Sequence, residues 1–238
     1  MSEALYNFGG LRFWTEDEIE LRELFTSRVV SVVKNTLYKI NSAWSFSQVE
    51  GSILSPRDTI NESYDEKDLF VTNHSIGVDF LCLRPETTAS SYAYARFLNK
   101  KFPLCIYQKG KSFRRELNDG ATATKLRFNE FWQLEFQCIY SVSTKADYRP
   151  PLIGSVSKEI ERFTGLESRV VPSDRLPSYS ESTYDIEVNC KDIPGKLLGG
   201  WREIASCSIR KDFSEETRVC EIAIGLDRVA TLAALKHN

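Results

Sequence analysis

Residues 83–116 read LRPETTASSYAYARFLNKKFPLCIYQKGKSFRRE and place charged side chains beside two runs that are typical of buried strands. Arg84 and Glu86 follow the first apolar run, and Arg114 and Glu116 follow the second. Charges at the ends of core strands cost free energy unless they are paired or hold a charged ligand. We therefore predict that this segment forms one wall of a site for a charged ligand.

The composition is that of an ordinary globular protein, with 42% hydrophobic and 27% charged residues among 238. The 31 basic and 33 acidic residues give a formal net charge of -2, so there is no overall attraction to nucleic acid. The basic run at 109–115, taken alone, is typical of a solvated turn. We find no signal-peptide pattern and no apolar stretch that could cross a bilayer, so we expect a cytoplasmic protein without a membrane partner.

Cysteine and histidine usage narrows the chemistry further. None of the six cysteines forms a C-x-x-C pair, which favours free buried thiols in a reducing compartment. The two histidines are His74 and His237, and the second lies next to the C-terminus. A histidine-based zinc site or a Ser-His-Asp triad is therefore not expected.

The order of the predicted elements indicates the fold class. Apolar spacing predicts a long helix over 15–40, in which Thr15 and Glu18 form a capping box. Further helices are predicted at 87–101, 151–166 and 226–238, and loops at 57–68 and 117–125. Strands are predicted at 44–56 (broken at Gly51), 69–73, 78–83, 102–116, 126–142, 182–190, 201–210 and 218–225. Because strands follow one another directly, we predict an α+β fold, an antiparallel β-sheet flanked by helices, with residues 1–238 as one domain.

Strand alternation separates a core face from a ligand face in the segment 128–138, FNEFWQLEFQC. Successive side chains of a strand point to opposite faces, which puts Trp132, Leu134 and Phe136 on the core face. The other face carries one aromatic among polar residues, an arrangement that suits a ligand: Asn129, Phe131, Gln133, Glu135 and Gln137. By the same rule Glu221 and Ala223 share a face, and a regular strand would separate Glu203 from Ser206.

These segments carry a resemblance to a known family. LRPETTAS at 83–90 is similar to the LRPETAQG segment of glycyl-type class II aminoacyl-tRNA synthetases, and QKGKSFRRE at 108–116 is similar to their motif 2. RFNEFWQLEFQ at 127–137 resembles the strand that follows motif 2, and CEIAIGLDRV at 220–229 resembles motif 3. VEGSILSP at 49–56 is a degenerate motif 1. The resemblance covers nearly the whole chain and implies a class II aminoacyl-tRNA synthetase-like catalytic domain.

The resemblance implies an ATP site. Arg114 would hold the α-phosphate of ATP and the carboxylate of the amino acid, and would stabilise charge as pyrophosphate leaves. Arg228 would hold the γ-phosphate, so these two arginines are the predicted catalytic residues. Glu116 would meet the adenine amino group, and Phe131 would stack on the adenine ring. Glu203 would belong to the ATP site as a ligand of magnesium.

The resemblance also implies a magnesium site and an amino-acid site. Glu203 and Ser206 match positions that bind the magnesium ion bridging the phosphates. Glu86, Glu135 and Glu221 match the carboxylates that surround the α-ammonium group of glycine. The full predicted amino-acid site comprises Arg84, Glu86, Gln133, Glu135, Glu221 and Ala223.

Four departures from the glycyl pattern bear on the choice of amino acid. Ile222 and Ala223 stand where the pattern has proline and serine, Gln137 where it has glutamate, and Asn129 where it has arginine. Glycine is the first prediction for the substrate, and alanine and serine remain open.

The implied activity is ATP- and magnesium-dependent formation of an aminoacyl-adenylate. The acceptor is left open between tRNA, a carrier-protein thiol, a protein lysine and a modified nucleobase, because the sequence predicts no anticodon-binding domain. Carrier-protein ligases of this family use a zinc held by Cys, Glu and Cys, and Cys105, Glu135 and Cys207 are the candidates for that set. The alternative function is a non-catalytic accessory or regulatory subunit that binds nucleotide, nucleic acid or protein. The resemblance further implies a homodimer through the first helix and motif 1.

Overall fold

The computed structural model describes residues 13–76, 79–99, 101–116, 126–193 and 200–237, and its largest element is a seven-stranded sheet. In spatial order the strands are β1 (Ser45–Gln48), β5 (Leu104–Phe113), β6 (Glu130–Ser141), β10 (Thr217–Gly225), β9 (Trp201–Arg210), β8 (Ser180–Asn189) and β7 (Ser168–Pro172). Every neighbouring pair is antiparallel except β1 and β5, which run parallel. The predicted α+β class with an antiparallel sheet is confirmed, apart from this one parallel edge pair.

A smaller sheet accounts for the parallel pair. It contains β2 (Leu54–Pro56), β4 (Asp79–Leu83) and β3 (Phe70–Ile76), in that order and antiparallel. The chain passes through this sheet between β1 and β5, which gives the long crossover that parallel pairing requires. The run predicted as one strand broken at Gly51 is therefore two short strands that belong to different sheets.

Four helices complete the described part of the fold: α1 (Glu16–Ile40), α2 (Thr88–Leu98), α3 (Arg149–Thr164) and α4 (Leu226–His237). The predicted capping box of α1 is present, since the Thr15 hydroxyl accepts from the Glu18 amide while the Glu18 carboxylate accepts from the Thr15 amide. The helix α3 ends at Gly165, whose φ of 67° is the left-handed conformation that favours glycine. In the described ranges, no helix is long and apolar enough to span a membrane.

The main core lies between α1, α3 and α4 and one face of the large sheet. Alternate residues of β6 enter it, among them Leu134, Phe136 and Cys138, as the strand alternation predicts. Cys105 and Cys207 lie on this same helix-covered face, where their sulfurs are 3.6 Å from Cys138 and 3.7 Å from Cys220. The alternation of β6 turns Glu135 to the opposite face. The structure therefore favours the expected free buried thiols over a zinc set of Cys105, Glu135 and Cys207, because the sheet separates the members of that set.

The structure describes one of the two predicted loops and shortens the strand that precedes the other. The polar segment 57–68 is a connection, as expected, but it contains two 3-10 turns at Arg57–Thr59 and Glu66–Asp68. The predicted loop at 117–125 lies outside the described residues. The strand predicted to continue to Glu116 ends at Phe113, so the segment from Arg114 to Glu116 follows the strand as irregular chain.

Candidate functional site

The polar residues lie on the face of the large sheet opposite α1, α3 and α4, where α2 packs against β5 and β6. A β-bulge in β9 decides which of these polar residues meet. Along the β8–β9 ladder, Ile186 pairs with Ala205 but Glu187 pairs with Glu203, so Ile204 is an extra residue. A bulge of one residue resets the alternation of the strand. Glu203 and Ser206 consequently lie on the same face, contrary to the separation expected for a regular strand, and both line the same cavity.

This cavity has a volume of about 540 Å³ and carries an excess of positive charge. Its lining includes four acidic residues, Asp68, Glu116, Glu203 and Asp227. Its lining also includes six basic residues, Lys67, Arg114, Arg115, Arg127, Arg175 and Arg228. We call it the cationic cavity, because six positive against four negative groups among its described lining residues favour an anionic ligand.

Arg114 lines the cationic cavity. Its Nε donates to the Pro85 carbonyl at 3.2 Å, and its Nη2 donates to the Tyr64 hydroxyl at 3.2 Å. Burial alone would lower the pKa of Arg114, but Tyr64 and the carboxylates of Glu86 and Glu135 outweigh it and raise the pKa above its ordinary value. The guanidinium is 5.3 Å from the Phe131 ring, so two of the residues predicted for ATP are adjacent.

Arg228 lies in the first turn of α4 and also lines the cavity. Its Nε donates to the Leu126 carbonyl at 3.0 Å, and its Nη1 donates to the Glu203 carbonyl at 2.7 Å. Burial lowers the pKa of Arg228 below its ordinary value despite the nearby Glu203 carboxylate. An anionic ligand would therefore stabilise the charged form of this side chain.

Asn129, one of the departures from the glycyl pattern, has a structural role beside the cavity. Its carbonyl accepts from the Arg114 amide at 3.0 Å, and its side-chain oxygen accepts from the Glu116 amide at 2.8 Å. The Glu116 carboxylate lies 3.5 Å from Arg127. Asn129 therefore fixes both predicted ATP-binding residues of the segment that follows β5.

A second group of charges lies beside the cavity and is buried. Glu86, Glu135 and Glu221 gather around Arg210, a residue that the sequence analysis missed, and we call these four residues the carboxylate cluster. The Arg210 guanidinium is only 1% exposed and lies 2.6 Å from Glu221 and 3.8 Å from Glu86. Its other nitrogen pairs with Asp212 at 2.7 Å. The alternation of β9 contains a signal for Arg210, because it shares a face with Ser206.

Within the carboxylate cluster, Glu135 is held by neutral partners. Its Oε2 accepts from the Thr87 hydroxyl at 2.6 Å and from the Thr87 amide at 3.2 Å, and its Oε1 accepts from the Gln133 amide group. Burial, together with the charges of Glu221 and Glu86, raises the pKa of Glu135 to about 8. The cluster thus contains a carboxyl group that gains from a positively charged ligand.

Tyr64 connects the cationic cavity to the carboxylate cluster. Its hydroxyl donates to Glu86 Oε2 at 2.8 Å and accepts from Arg114 Nη2 at 3.2 Å. Burial raises the pKa of Tyr64 well above its ordinary value, so the hydroxyl keeps its proton. Burial also raises the pKa of Glu86. No sequence signal marked Tyr64, because it lies in a polar connection without periodicity.

Of the other residues predicted for the amino-acid site, two line the cavity and one binds the protein backbone. Gln133 and Ala223 line the cavity, and Gln133 reaches Glu135. Arg84 instead donates to the backbone carbonyls of Lys111 (2.8 Å), Gly51 (2.8 Å) and Ser52 (3.0 Å). It packs over Gly110, where an added Cβ would come within 2.2 Å of its Nη2. Its charge is used to hold backbone, so we assign Arg84 a structural role in place of the predicted ligand contact.

Glu203 and Ser206, the residues predicted to bind magnesium, can supply only part of its coordination shell. They suit an ion that is also bound by a phosphate ligand. The Glu203 carboxylate and the Ser206 hydroxyl are the oxygen donors that magnesium prefers, and both line the cationic cavity. No group of three or more His, Cys, Asp or Glu side chains suited to a metal occurs among the described residues. Magnesium commonly takes one or two protein ligands and completes its shell with phosphate oxygens and water.

Sequence comparisons point to one group of proteins. No protein-family model matches the chain. The glycine–tRNA ligase of Mycoplasma mycoides is 29% identical over 157 residues, covering 61% of this chain and 32% of the relative. That of Alkaliphilus metalliredigens is 29% identical over 195 residues, covering 73% and 40%. That of Staphylococcus aureus is 32% identical over 144 residues, covering 55% and 28%. The chain therefore matches less than half the length of each relative.

Solved structures agree on the fold. Prolyl-tRNA synthetase from Cryptosporidium parvum, complexed with halofuginone and AMPPNP, has a TM-score of 0.77 at 14% identity, covering 98% of this chain and 49% of that one. Giardia lamblia prolyl-tRNA synthetase in complex with prolyl-adenylate has a TM-score of 0.71 at 15% identity, covering 96% and 48%. The fold is that of a class II aminoacyl-tRNA synthetase catalytic domain. The similarity in sequence is to glycine–tRNA ligases, so the predicted resemblance to a glycyl-type synthetase core is confirmed.

Proposed function

We propose that the protein activates a small amino acid with ATP, giving an aminoacyl-adenylate and pyrophosphate, with glycine as the first candidate substrate. The observation that carries this proposal is the adjacency of the cationic cavity and the carboxylate cluster, joined through Tyr64. The two regions have the charges that a polyphosphate and an α-ammonium group would need.

The reaction requires no nucleophile from the protein. A carboxylate oxygen of the amino acid attacks the α-phosphorus of ATP, a new O–P bond forms, and the bond to the bridging oxygen of pyrophosphate breaks. Arg114 would bind the amino-acid carboxylate and the α-phosphate and stabilise the developing negative charge, and Arg228 would hold the γ-phosphate. Glu116 and Phe131 would bind adenine. Magnesium held by Glu203, Ser206 and the phosphates would supply further charge neutralisation.

The carboxylate cluster would select the amino acid. Arg210 faces three carboxylates, Glu86, Glu221 and Asp212, so one guanidinium does not neutralise the cluster. An ammonium group placed in the cluster would favour the ionised form of Glu135, which is the member without a directly bonded cation in the described contacts.

Glycine is favoured over larger amino acids by the names of the relatives and by the crowding of the cluster. Ala223 pairs with Glu135 across β6 and with Ser206 across β9, so it lies between the two halves of the site. The alanine side chain leaves slightly more room than the serine of the glycyl pattern, and for this reason alanine and serine stay alternative substrates.

The acceptor, the assembly and the cellular location extend the same proposal. We propose tRNA as the first acceptor to test, and a carrier protein or another protein or nucleic acid as the alternatives. We also propose a cytoplasmic homodimer, in which α1 and the segment 49–56 would form an isologous interface. Light scattering in solution tests the dimer directly, since a monomeric mass would refute it.

The experiment is ATP–pyrophosphate exchange with a panel of amino acids and no acceptor added. The proposal predicts exchange that depends on glycine, or on alanine or serine, and on magnesium. Absence of exchange with every amino acid, with and without tRNA, from protein that is folded would refute activation. The non-catalytic accessory role would then be the remaining reading of the fold.

A further inference from the structure

Asp227, the residue before Arg228, holds the first turn of α4 against β6. The residue is 1% exposed, and its Oδ2 accepts from the Trp132 amide at 2.7 Å. A carboxylate in the first turn of a helix is also stabilised by the helix dipole. Asp227, Trp132 and Arg228 all line the cationic cavity. The contact between Asp227 and Trp132 therefore fixes the part of the cavity wall that lies next to Arg228.

Arg22 of α1 reaches the same carboxylate from outside the cavity. Its Nη1 lies 3.4 Å from Asp227 Oδ1, and its guanidinium is 4.8 Å from the Trp132 ring and 6.0 Å from the Trp14 ring. The residue is only 6% exposed, and a buried guanidinium is expensive unless charge partners and aromatic faces compensate it. Two of these compensating partners, Asp227 and Trp132, belong to the cavity wall.

We propose that Arg22 is a positioning residue for the nucleotide site: it fixes Asp227 and Trp132, and through them the start of α4 that carries Arg228. No residue of α1 is among the described residues lining the cavity, so Arg22 acts on the ligand only through these neighbours. The inference rests on the proposed use of the cationic cavity for ATP. It predicts that a change in α1 weakens the binding of ATP without weakening the binding of the amino acid.

Arg28 provides a matched control on the same helix. Its Nε lies 2.6 Å from Glu159 Oε1, a carboxylate that is 3% exposed, and its guanidinium is 5.5 Å from the Phe163 ring. It therefore has the same combination of a buried acid and an aromatic face, but both partners lie on α3 and line no part of the described cavity. The Arg28 side chain is more exposed than that of Arg22, 40% against 8%, so the comparison depends on the affinity for ATP and not on the size of the stability loss. A merely structural role for Arg22 would lower the unfolding temperature without a selective effect on the affinity for ATP.

The test compares wild-type protein with Arg22→Met, Arg22→Lys and Arg28→Met by ATP–pyrophosphate exchange with glycine and by calorimetric titration with ATP alone. Thermal unfolding is recorded for each. Arg22→Met is expected to raise the KM for ATP about tenfold while the KM for glycine stays within about twofold. Arg22→Lys is expected to recover part of the affinity, since lysine keeps the charge but not the planar contact with Trp132. Arg28→Met should lower the unfolding temperature and leave both KM values unchanged.

Two results would overturn the inference: equal effects of Arg22→Met and Arg28→Met on ATP affinity, or an unchanged affinity in Arg22→Met. Wild-type protein that binds ATP but shows no exchange with any amino acid of the panel, with or without tRNA, would refute the proposed activation. The ATP titrations of the variants would still decide the role of Arg22. Wild-type protein that binds no ATP would overturn both.

Discussion

The cationic cavity and the carboxylate cluster lie on the same face of one sheet but differ in how their charges are held. In the cavity, Arg114 and Arg228 donate to backbone carbonyls and to a neutral hydroxyl, which leaves an excess of positive charge facing the open space. In the cluster, the Arg210 side chain is 1% exposed and forms ion pairs with three carboxylates. The cavity therefore offers positive charge to an anion from solution, whereas the buried carboxylates of the cluster share one internal cation, Arg210.

This difference predicts different consequences of mutation in the two regions. Removing a cavity arginine takes away a contact to the ligand and leaves behind uncharged hydrogen-bond partners, namely backbone carbonyls and the Tyr64 hydroxyl, so it should cost less stability. Removing the cluster arginine leaves buried negative charges without compensation. The cavity should therefore govern activity, and the cluster should govern stability as well as the selection of the amino acid.

The largest expected effect is on stability in Arg210→Met. The change leaves Glu221 and Asp212 without their guanidinium partner, and breaking a buried pair from one side costs about 3–5 kcal/mol. Urea unfolding at neutral pH measures it. The control is Arg169→Met, whose ion pair with Glu187 is partly exposed and should cost at most about 1 kcal/mol. Similar losses in the two variants would erase the contrast between cluster and surface.

The next effect is on catalysis in Arg114→Gln. Loss of one preorganised charge at the reacting phosphate is expected to lower exchange by a factor of about 10²–10³, or roughly 2.7–4 kcal/mol of transition-state stabilisation. Urea unfolding of the same variant should differ little from that of wild-type protein. A loss of exchange below about tenfold would place the α-phosphate elsewhere.

The pH dependence of stability distinguishes Glu135 from an ordinary carboxylate. Its pKa of about 8 in the folded protein lies above the ordinary value of 4.5, so the folded state binds more protons than the unfolded state between these values. Stability should therefore fall as pH rises through this window, at up to about 1.4 kcal/mol per pH unit. Glu135→Gln removes this contribution, and urea unfolding across the window should show a flatter profile. An identical slope in the variant would contradict the buried, protonated state.

The smallest effect is on substrate choice in Ala223→Ser. The added hydroxyl would restore the residue of the glycyl pattern beside Glu135 and reduce the room between the two halves of the site. We expect the preference for glycine over alanine in exchange to rise about threefold, or ~0.7 kcal/mol. Ala223→Gly is the opposite control, and a rise in the preference for glycine there as well would rule out the steric explanation.

Local patterns predicted much of the fold and one face of the site. The capping box of α1 and the alternation of β6 depend on residues close in sequence, and both are confirmed. The bulge at Ile204 could not be predicted, because an unpaired residue is defined only by the partner strand. The pairing of Arg210 with Glu221 and the bridging position of Tyr64 depend on contacts between distant segments. An arginine at position 84 could bind either a ligand or the backbone, and the sequence does not distinguish these two roles. The backbone contacts of Arg84 become visible only in the fold. The roles assigned to the site residues stay predictions.

The most direct test of the separate roles of the cationic cavity and the carboxylate cluster is a crystal structure of the protein with a non-hydrolysable glycyl-adenylate analogue and magnesium. We predict that the group replacing the α-phosphate contacts Arg114, that the adenine stacks on Phe131, and that the ammonium group lies among Glu86, Glu135 and Glu221. An ammonium group placed outside the carboxylate cluster, or an adenylate that avoids the cationic cavity, would contradict it.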